Sequence, residues 1–211
     1  MMSLVAISID SPNTSADVGF FQVLGLALCE LEDDHARLIP SSGPEIWLKN
    51  GSKSSLTAVF DGMGPMQDLE GNPLEYISPP FSATTRGQVK ILGPVYPVVD
   101  LPSSIGWYEK QLGLKEVFND EVAQWAELQD SRGRRLIVAF SPDLATPAML
   151  ALLVDDAAGE VERLREYELE AAWTRSLPWG RIAAYAAPSG LPVLLVERFN
   201  NSSDSTYADA R

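Results

Sequence analysis

The sequence predicts an α+β protein assembled from repeated βαβββ modules, and three observations carry that expectation. A strand-like run, a turn, a short amphipathic helix and further strand-like runs recur along the chain at a period of about 50 residues. The turns that open the helices carry Ser, Pro, Asn or Asp, and the first two helices run into a glycine suited to a left-handed stop. Each such module also leaves an apolar sheet face that a second module must cover, so a repeat of this kind implies pairing.

In order along the chain, Leu4 to Ile9 is strand-like, and Ser11-Pro12-Asn13-Thr14 supplies turn and N-cap chemistry. Val18, Phe20, Phe21 and Leu24 then fall at helical spacing before Gly25. Residues Ala27 to Ile39, Glu45 to Lys49 and Leu56 to Phe60 read as strands parted by Ser, Gly, Pro and Asn turns, with Asn72 to Ile77 as one more. Gly62-Met63-Gly64-Pro65 reads as a turn, since no Lys-Ser/Thr follows it to make a phosphate loop. Residues 1–80 therefore form a shortened βαβββ-like half with five strands and one helix. Ser78 to Gly87 has no apolar period and reads as linker, with 81–92 as the connecting stretch and a boundary near Gln88.

From Gly93 the pattern restarts. Val95 to Val99 reads as a strand and Pro102-Ser103-Ser104 as a helix start, with Ile105, Tyr108 and Leu112 at helical spacing up to Gly113. Strands follow at Lys115 to Phe118, Ala123 to Leu128 and Leu136 to Phe140, the last two joined by a Ser131-Arg132-Gly133 turn. A further copy opens with Met149 to Val154, continues through a helix bearing Val161, Leu164 and Leu169, and closes with Ala172-Trp173-Thr174, Arg181 to Ala186 and Pro192 to Glu197. Residues 93–198 form the intact pair of halves, and the Ser/Asn/Asp-rich tail at 199–211 is expected to be disordered.

Composition excludes several classes of function. With 29 acidic and 16 basic residues the formal charge is −13, which repels a phosphate backbone, so nucleic acid is not an expected partner. The longest apolar run, Ala148 to Val154, falls far short of the roughly 20 residues of a membrane helix, so no membrane partner is expected either. The single cysteine, Cys29, leaves no intramolecular disulfide and no multi-cysteine metal site, and makes the reducing cytoplasm the expected compartment. One histidine, His35, and one cysteine give no Ser-His-Asp or Cys-His arrangement for nucleophilic catalysis. His35 lies in Glu32-Asp33-Asp34-His35, where a cation is conceivable but a solvated hairpin tip is the simpler reading.

The motifs Val98-Val99-Asp100-Leu101, Trp107-Tyr108 and Leu112-Gly113-Leu114 in the first half are followed by Val154-Asp155-Asp156, Pro178-Trp179-Gly180-Arg181 and Gly190 through Glu197 in the second. In this order they resemble the vicinal-oxygen-chelate superfamily of glyoxalases, bleomycin-resistance proteins and extradiol dioxygenases. The N-terminal part is similar to the family less completely, through Phe20-Phe21, Leu24-Gly25-Leu26 and Asp68 through Glu75, and reads as a degenerate copy lacking an intervening strand and helix. The resemblance implies βαβββ modules paired into a curled sheet around a cleft for a small molecule, a cleft the family often closes across a dimer. A homodimer is thus one expected partner, unless the N-terminal half supplies that surface.

Aligned on its turns, the resemblance implies that the metal-ligand positions are Gly93, Met149 and Leu194, none of them a usable ligand for a hard ion; in the degenerate copy only Glu75 keeps a carboxylate. No cofactor is therefore expected. Val95, Pro97, Met149, Ala151, Leu194 and Val196 make the cleft apolar, and Trp125, Trp173, Trp179 and Tyr185, with Trp125 and Trp179 preferred, are placed to stack on a planar ligand, with Arg181 as a partner for a ligand carboxylate or a surface residue. Three functions stay open: metal-independent binding of a small hydrophobic or aromatic molecule; an enzyme, either metal-dependent or using Glu75, Tyr96 or Tyr185 as acid or base; and a structural or regulatory partner whose cleft is filled by its own side chains.

Overall fold

The computed structural model describes residues 2–61, 66–77, 87–143 and 145–199, with the side chains of 66 and 75–77 outside that description. The expected turn at Gly62 to Pro65, nearly all of Ser78 to Gly87, the tail from Asn200 and the side chain of Glu75 thus lie outside the described residues. Two mixed sheets and three helices make up the rest.

The N-terminal sheet comprises β1 (Leu4–Ser11), β2 (Ala27–Leu31), β3 (His35–Ile39), β4 (Glu45–Asn50), β5 (Ser55–Asp61), β6 (Met66–Gln67) and β7 (Pro73–Ile77), in the order β2-β3-β4-β1-β5-β7-β6. Helix α1 (Thr14–Val23) follows β1, with the Asn13 side chain accepting from the Ala16 N–H, as the turn chemistry foretold. The strand-like run from Ala27 to Ile39 is divided by the hairpin tip expected at Glu32 to His35: the chain turns at residues 32–34 and the Glu32 N–H returns to the His35 carbonyl at 2.9 Å. Three adjacent carboxylates favour an exposed tip, where water solvates them, over a continuous paired strand.

The C-terminal sheet comprises β8 (Lys90–Val98), β9 (Lys115–Asp120), β10 (Trp125–Gln129), β11 (Arg135–Phe140), β12 (Met149–Val154), β13 (Trp173–Leu177), β14 (Gly180–Ala186) and β15 (Pro192–Arg198), ordered β13-β14-β15-β12-β8-β11-β10-β9. Helices α2 (Leu101–Leu112) and α3 (Ala157–Arg165) are capped by Asp100 and Asp156, and Gly113 ends α2 at φ +71°. Leu169 was expected on α3, but the helix ends four residues earlier and Leu169 reaches the core after a turn at Glu168, φ +61°.

At the centre β8 pairs antiparallel with β12, β8 pairs parallel with β11, and β12 pairs parallel with β15, so two βαβββ halves meet along β8 and β12. The N-terminal sheet has the same three relations, β1 antiparallel to β5, β1 parallel to β4, and β5 parallel to β7. Its first half is complete, whereas between β5 and β7 only β6 is found among the described residues.

All three helices lie on one side of their sheets, and a single core joins them. Phe21, Leu38, Ile46 and Phe60 from the N-terminal sheet belong to the same buried cluster as Val98, Tyr108, Leu152 and Leu164 from the C-terminal one. Polar contacts stitch the two sheets across this core. The Tyr96 hydroxyl accepts from the Ala58 N–H (2.7 Å) and donates to the Pro73 carbonyl (3.0 Å), and Tyr108 donates to Asp68 (2.6 Å). Strand β8 starts three residues before Gly93, and its approach is tied to the N-terminal sheet by Gly87 N–H to Ile39 O and Ile91 N–H to Ser42 O, each 2.9 Å. Among the described residues no helix is long and apolar enough to cross a membrane.

Candidate functional site

The helix-free face of the C-terminal sheet is the candidate site. Side chains alternate across a strand, so Val95 on β8, Ile137 on β11, Ala151 on β12, Ile182 and Ala184 on β14 and Leu194 on β15 share this face, with Trp125 of β10. The sheet curls until its outermost strands meet. Phe118 of β9, at one edge, lies 5.4 Å from Trp179 in the turn between β13 and β14, at the other, and the Trp179 indole donates to Asp120 at 2.5 Å. Asp120 is held ionised below the ordinary carboxylate range, first by the Ala123 N–H and further by this indole and the Val122 N–H.

Inside the curl sits a polar cluster that sequence reasoning missed. Glu127 is fully buried; it accepts from the Trp125 indole (3.0 Å) and forms ion pairs with both Arg135 and Arg198. The Arg198 guanidinium is held between two rings, 4.1 Å from the centroid of Phe118 and 4.0 Å from that of Trp179. The signal was present: Glu127 stands two residues after Trp125 on one strand, and Arg198 two after Val196, so both had to share the apolar face.

Of the residues singled out from the sequence, Val95, Met149, Leu194, Trp125 and Trp179 are brought together on this face. Val95, Trp125 and Leu194 are buried, at 0%, 6% and 2% exposure, while Met149 and Trp179 are partly open, as are Leu153 and Leu177 beside them. Arg181 and Tyr185 are not brought there: they alternate with Ile182 and Ala184 and so face the helices. Arg181 is exposed and lies 3.6 Å from Glu197. Tyr185 is buried in the main core, and burial pushes its hydroxyl above the ordinary phenol value. Tyr96 also points to the core, its hydroxyl engaged between the sheets.

The three positions that the family resemblance aligns with metal ligands do not offer side chains that fit an ion. Gly93 offers no side chain, and a Cβ there would stand 2.2 Å from the Arg135 carbonyl oxygen on a backbone at φ +156°. Met149 and Leu194 present a thioether and an alkyl group into the apolar cluster. Elsewhere, Glu30, Glu32 and His35 bring ligand-type atoms within 4.8 Å of one another on the β2–β3 hairpin, open to solvent. His35 is held above its ordinary pKa of 6.5, chiefly by its hydrogen bond with Asp34 at 2.9 Å, with further help from Glu32 and Glu30.

No protein-family model matches the chain, and no curated protein matches its sequence. Solved structures do match in shape. A Mn(II)-bound glyoxalase from Novosphingobium aromaticivorans is 12% identical across 93% of this chain and 83% of its own, with a TM-score of 0.65. An extradiol ring-cleaving dioxygenase from B. fuscum is 11% identical, covering 97% and 74%, at 0.69. Homoprotocatechuate 2,3-dioxygenase from Arthrobacter globiformis is 12% identical, covering 97% and 82%, at 0.66. The chain is thus an α+β protein of paired βαβββ halves with a curled sheet, and its fold is the vicinal-oxygen-chelate fold.

Proposed function

We propose that this chain binds a small apolar or aromatic molecule inside the curled C-terminal sheet without using a metal ion. The observation that carries this reading is the apolar and aromatic character of the face that holds Met149 and Leu194, which with Gly93 are the positions the family resemblance aligns with metal ligands. The partly open Met149, Leu153, Leu177 and Trp179 supply the entrance, and Trp125 and Leu194 lie below them. Because the floor is closed, a ligand enters by displacing Trp179 from Asp120 and Arg198. Curling within one chain brings Phe118 to Trp179, so closure needs no second copy. The shared strand pairing of the two sheets supports reading residues 1–80 as a shortened copy of the C-terminal unit.

Thermal unfolding with a panel of phenols, benzoates and indoles at millimolar concentration tests the proposal, alongside elemental analysis of untagged protein purified without chelator. A ligand at a hundred times its Kd adds about 2.7 kcal/mol, so a binder raises the melting temperature. Metal below about a tenth of an equivalent with such a rise supports the reading. Near-stoichiometric metal replaces it with an enzyme, the reading that the names of the similar glyoxalase and dioxygenases favour. A flat panel with no metal replaces it with a cleft filled by its own side chains, which the buried Glu127, Arg135 and Arg198 cluster favours.

A further inference from the structure

A second concavity lies outside the curl, where the two sheets adjoin. It is a groove of about 900 Å³ between α1 and α3, floored by the ends of β8 and β12. Half-buried Val23, Val89 and Val154 make its base apolar, and the Tyr167 ring stands at one wall with 55% exposure. A glycine faces it from each helix. Gly19 sits in the middle of α1, where glycine costs about 1 kcal/mol relative to alanine, and a Cβ there would meet nothing within 4 Å. The opposing Gly159 lies in the first turn of α3. A side chain at position 19 would therefore strengthen the helix and occupy the groove.

The charges on the walls are largely matched already. Arg163 donates to Glu160 (2.7 Å) and to the Val23 carbonyl (3.1 Å), and Asp156 caps α3 by accepting from the Ala158 and Gly159 N–H groups. One lysine, Lys90, and one further carboxylate, Asp155, complete the ionic lining with opposite signs. The remaining recognition groups are neutral: the Tyr167 ring and the exposed carboxamides of Gln22 and Gln88. From this lining we infer a second small-molecule site, in the α1–α3 groove, for an uncharged aromatic amide or similar heterocycle that packs on Val23 and Tyr167 and hydrogen-bonds to Gln22 and Gln88. The site is independent of the C-terminal cleft, and its occupant touches α1 of the N-terminal half together with α3, β8 and β12 of the C-terminal half.

The test is an amide-resolved NMR titration of the full chain with benzamide, repeated with benzoate and benzylammonium. Saturable shifts at Gly19, Gly159 and Tyr167 are expected with benzamide and weaker ones with the two ions. Gly19→Trp, whose Cβ meets nothing within 4 Å, should abolish those shifts while the Trp179 indole signal stays in place; Tyr167→Ala should weaken them. Absence of groove shifts up to the solubility limit overturns the site, as does binding that Gly19→Trp leaves unchanged. Equal response to all three probes overturns the assigned ligand class. Shifts confined to Trp179 and Leu194 sink this site and leave the cleft proposal standing, and shifts confined to the groove support this site alone.

Discussion

The two sheets share strand pairings but differ in what fills their helix-free faces. In the C-terminal sheet that face is an extended apolar cluster enclosing one buried carboxylate and two arginines. In the N-terminal sheet the corresponding apolar cluster shrinks to Val5, Ala6 and Val59 packed against Trp47, and the rows beside it are polar. Arg37, Trp47, Ser8 and Thr57 are neighbours in register, followed by His35, Lys49, Asp10 and Ser55. The helix-covered faces, by contrast, are apolar in both. One backbone pattern thus fixes a single face by packing and leaves the other free to be closed and dry, or polar and wet along its outer row of His35, Lys49, Asp10 and Ser55. Closure follows from the hairpin of β13 and β14, which brings Trp179 across to Phe118; the N-terminal sheet has no such hairpin among its described residues.

Substitutions that break this contrast should differ in cost. The largest loss is expected for Glu127→Ala, which removes the carboxylate on which both arginines converge; breaking a buried ion pair costs about 3–5 kcal/mol, read as a lower urea midpoint. Trp125→Ala on the dry face should cost about 3–5 kcal/mol, whereas Trp47→Ala on the wet face should cost nearer 1 kcal/mol. Equal losses at the two tryptophans would remove the distinction between the faces. Gly93→Ala combines a steric clash with an unfavourable backbone and should cost on the order of 3 kcal/mol, so no imidazole can be restored there without moving Arg135.

Smaller effects come from titration. Burial, with Asp68 and Asp100 nearby, raises the Glu70 carboxyl above its ordinary value despite its hydrogen bond from Ser104. A raised folded-state pKa means that the ionised form destabilises the fold. That penalty is absent below the ordinary carboxylate range, builds as pH rises to the folded value, and is complete above it. Glu70→Gln should therefore raise the melting temperature at neutral pH and give no advantage in acid. On the wet face, His35 has a raised pKa, so the stabilisation it contributes is fully present below 6.5 and is lost as pH rises through the folded value. Its imidazole is the only one in the chain, so NMR titration reads it directly, and Asp34→Asn should move its midpoint down.

Most of this architecture was legible in the sequence because caps and periods are local. Asn13 caps the first helix where turn chemistry placed it, Asp100 and Asp156 cap the other two within the turns that the family resemblance marked, and Met149 and Leu194 fell on the expected face. Face assignment failed along β14, where Ile182 and Ala184 are buried on one side and Ala183 and Tyr185 on the other. A strand apolar on both sides carries no parity signal, so Tyr185 could not be assigned from pattern alone. The meeting of Phe118 with Trp179 was invisible for another reason: it depends on the curvature of the whole sheet, which no local window encodes. The Glu127 cluster was overlooked because a charged residue on a strand is read as solvent-facing by default.

The Tyr96 hydroxyl, which takes the Ala58 N–H and gives its proton to the Pro73 carbonyl, ties the central strand of one sheet to the interior of the other. Neither sheet can melt without stranding main-chain partners of its neighbour in the shared core. Heating should therefore give one calorimetric peak whose van't Hoff and measured enthalpies agree, with the N-terminal half never released as an autonomous folding unit.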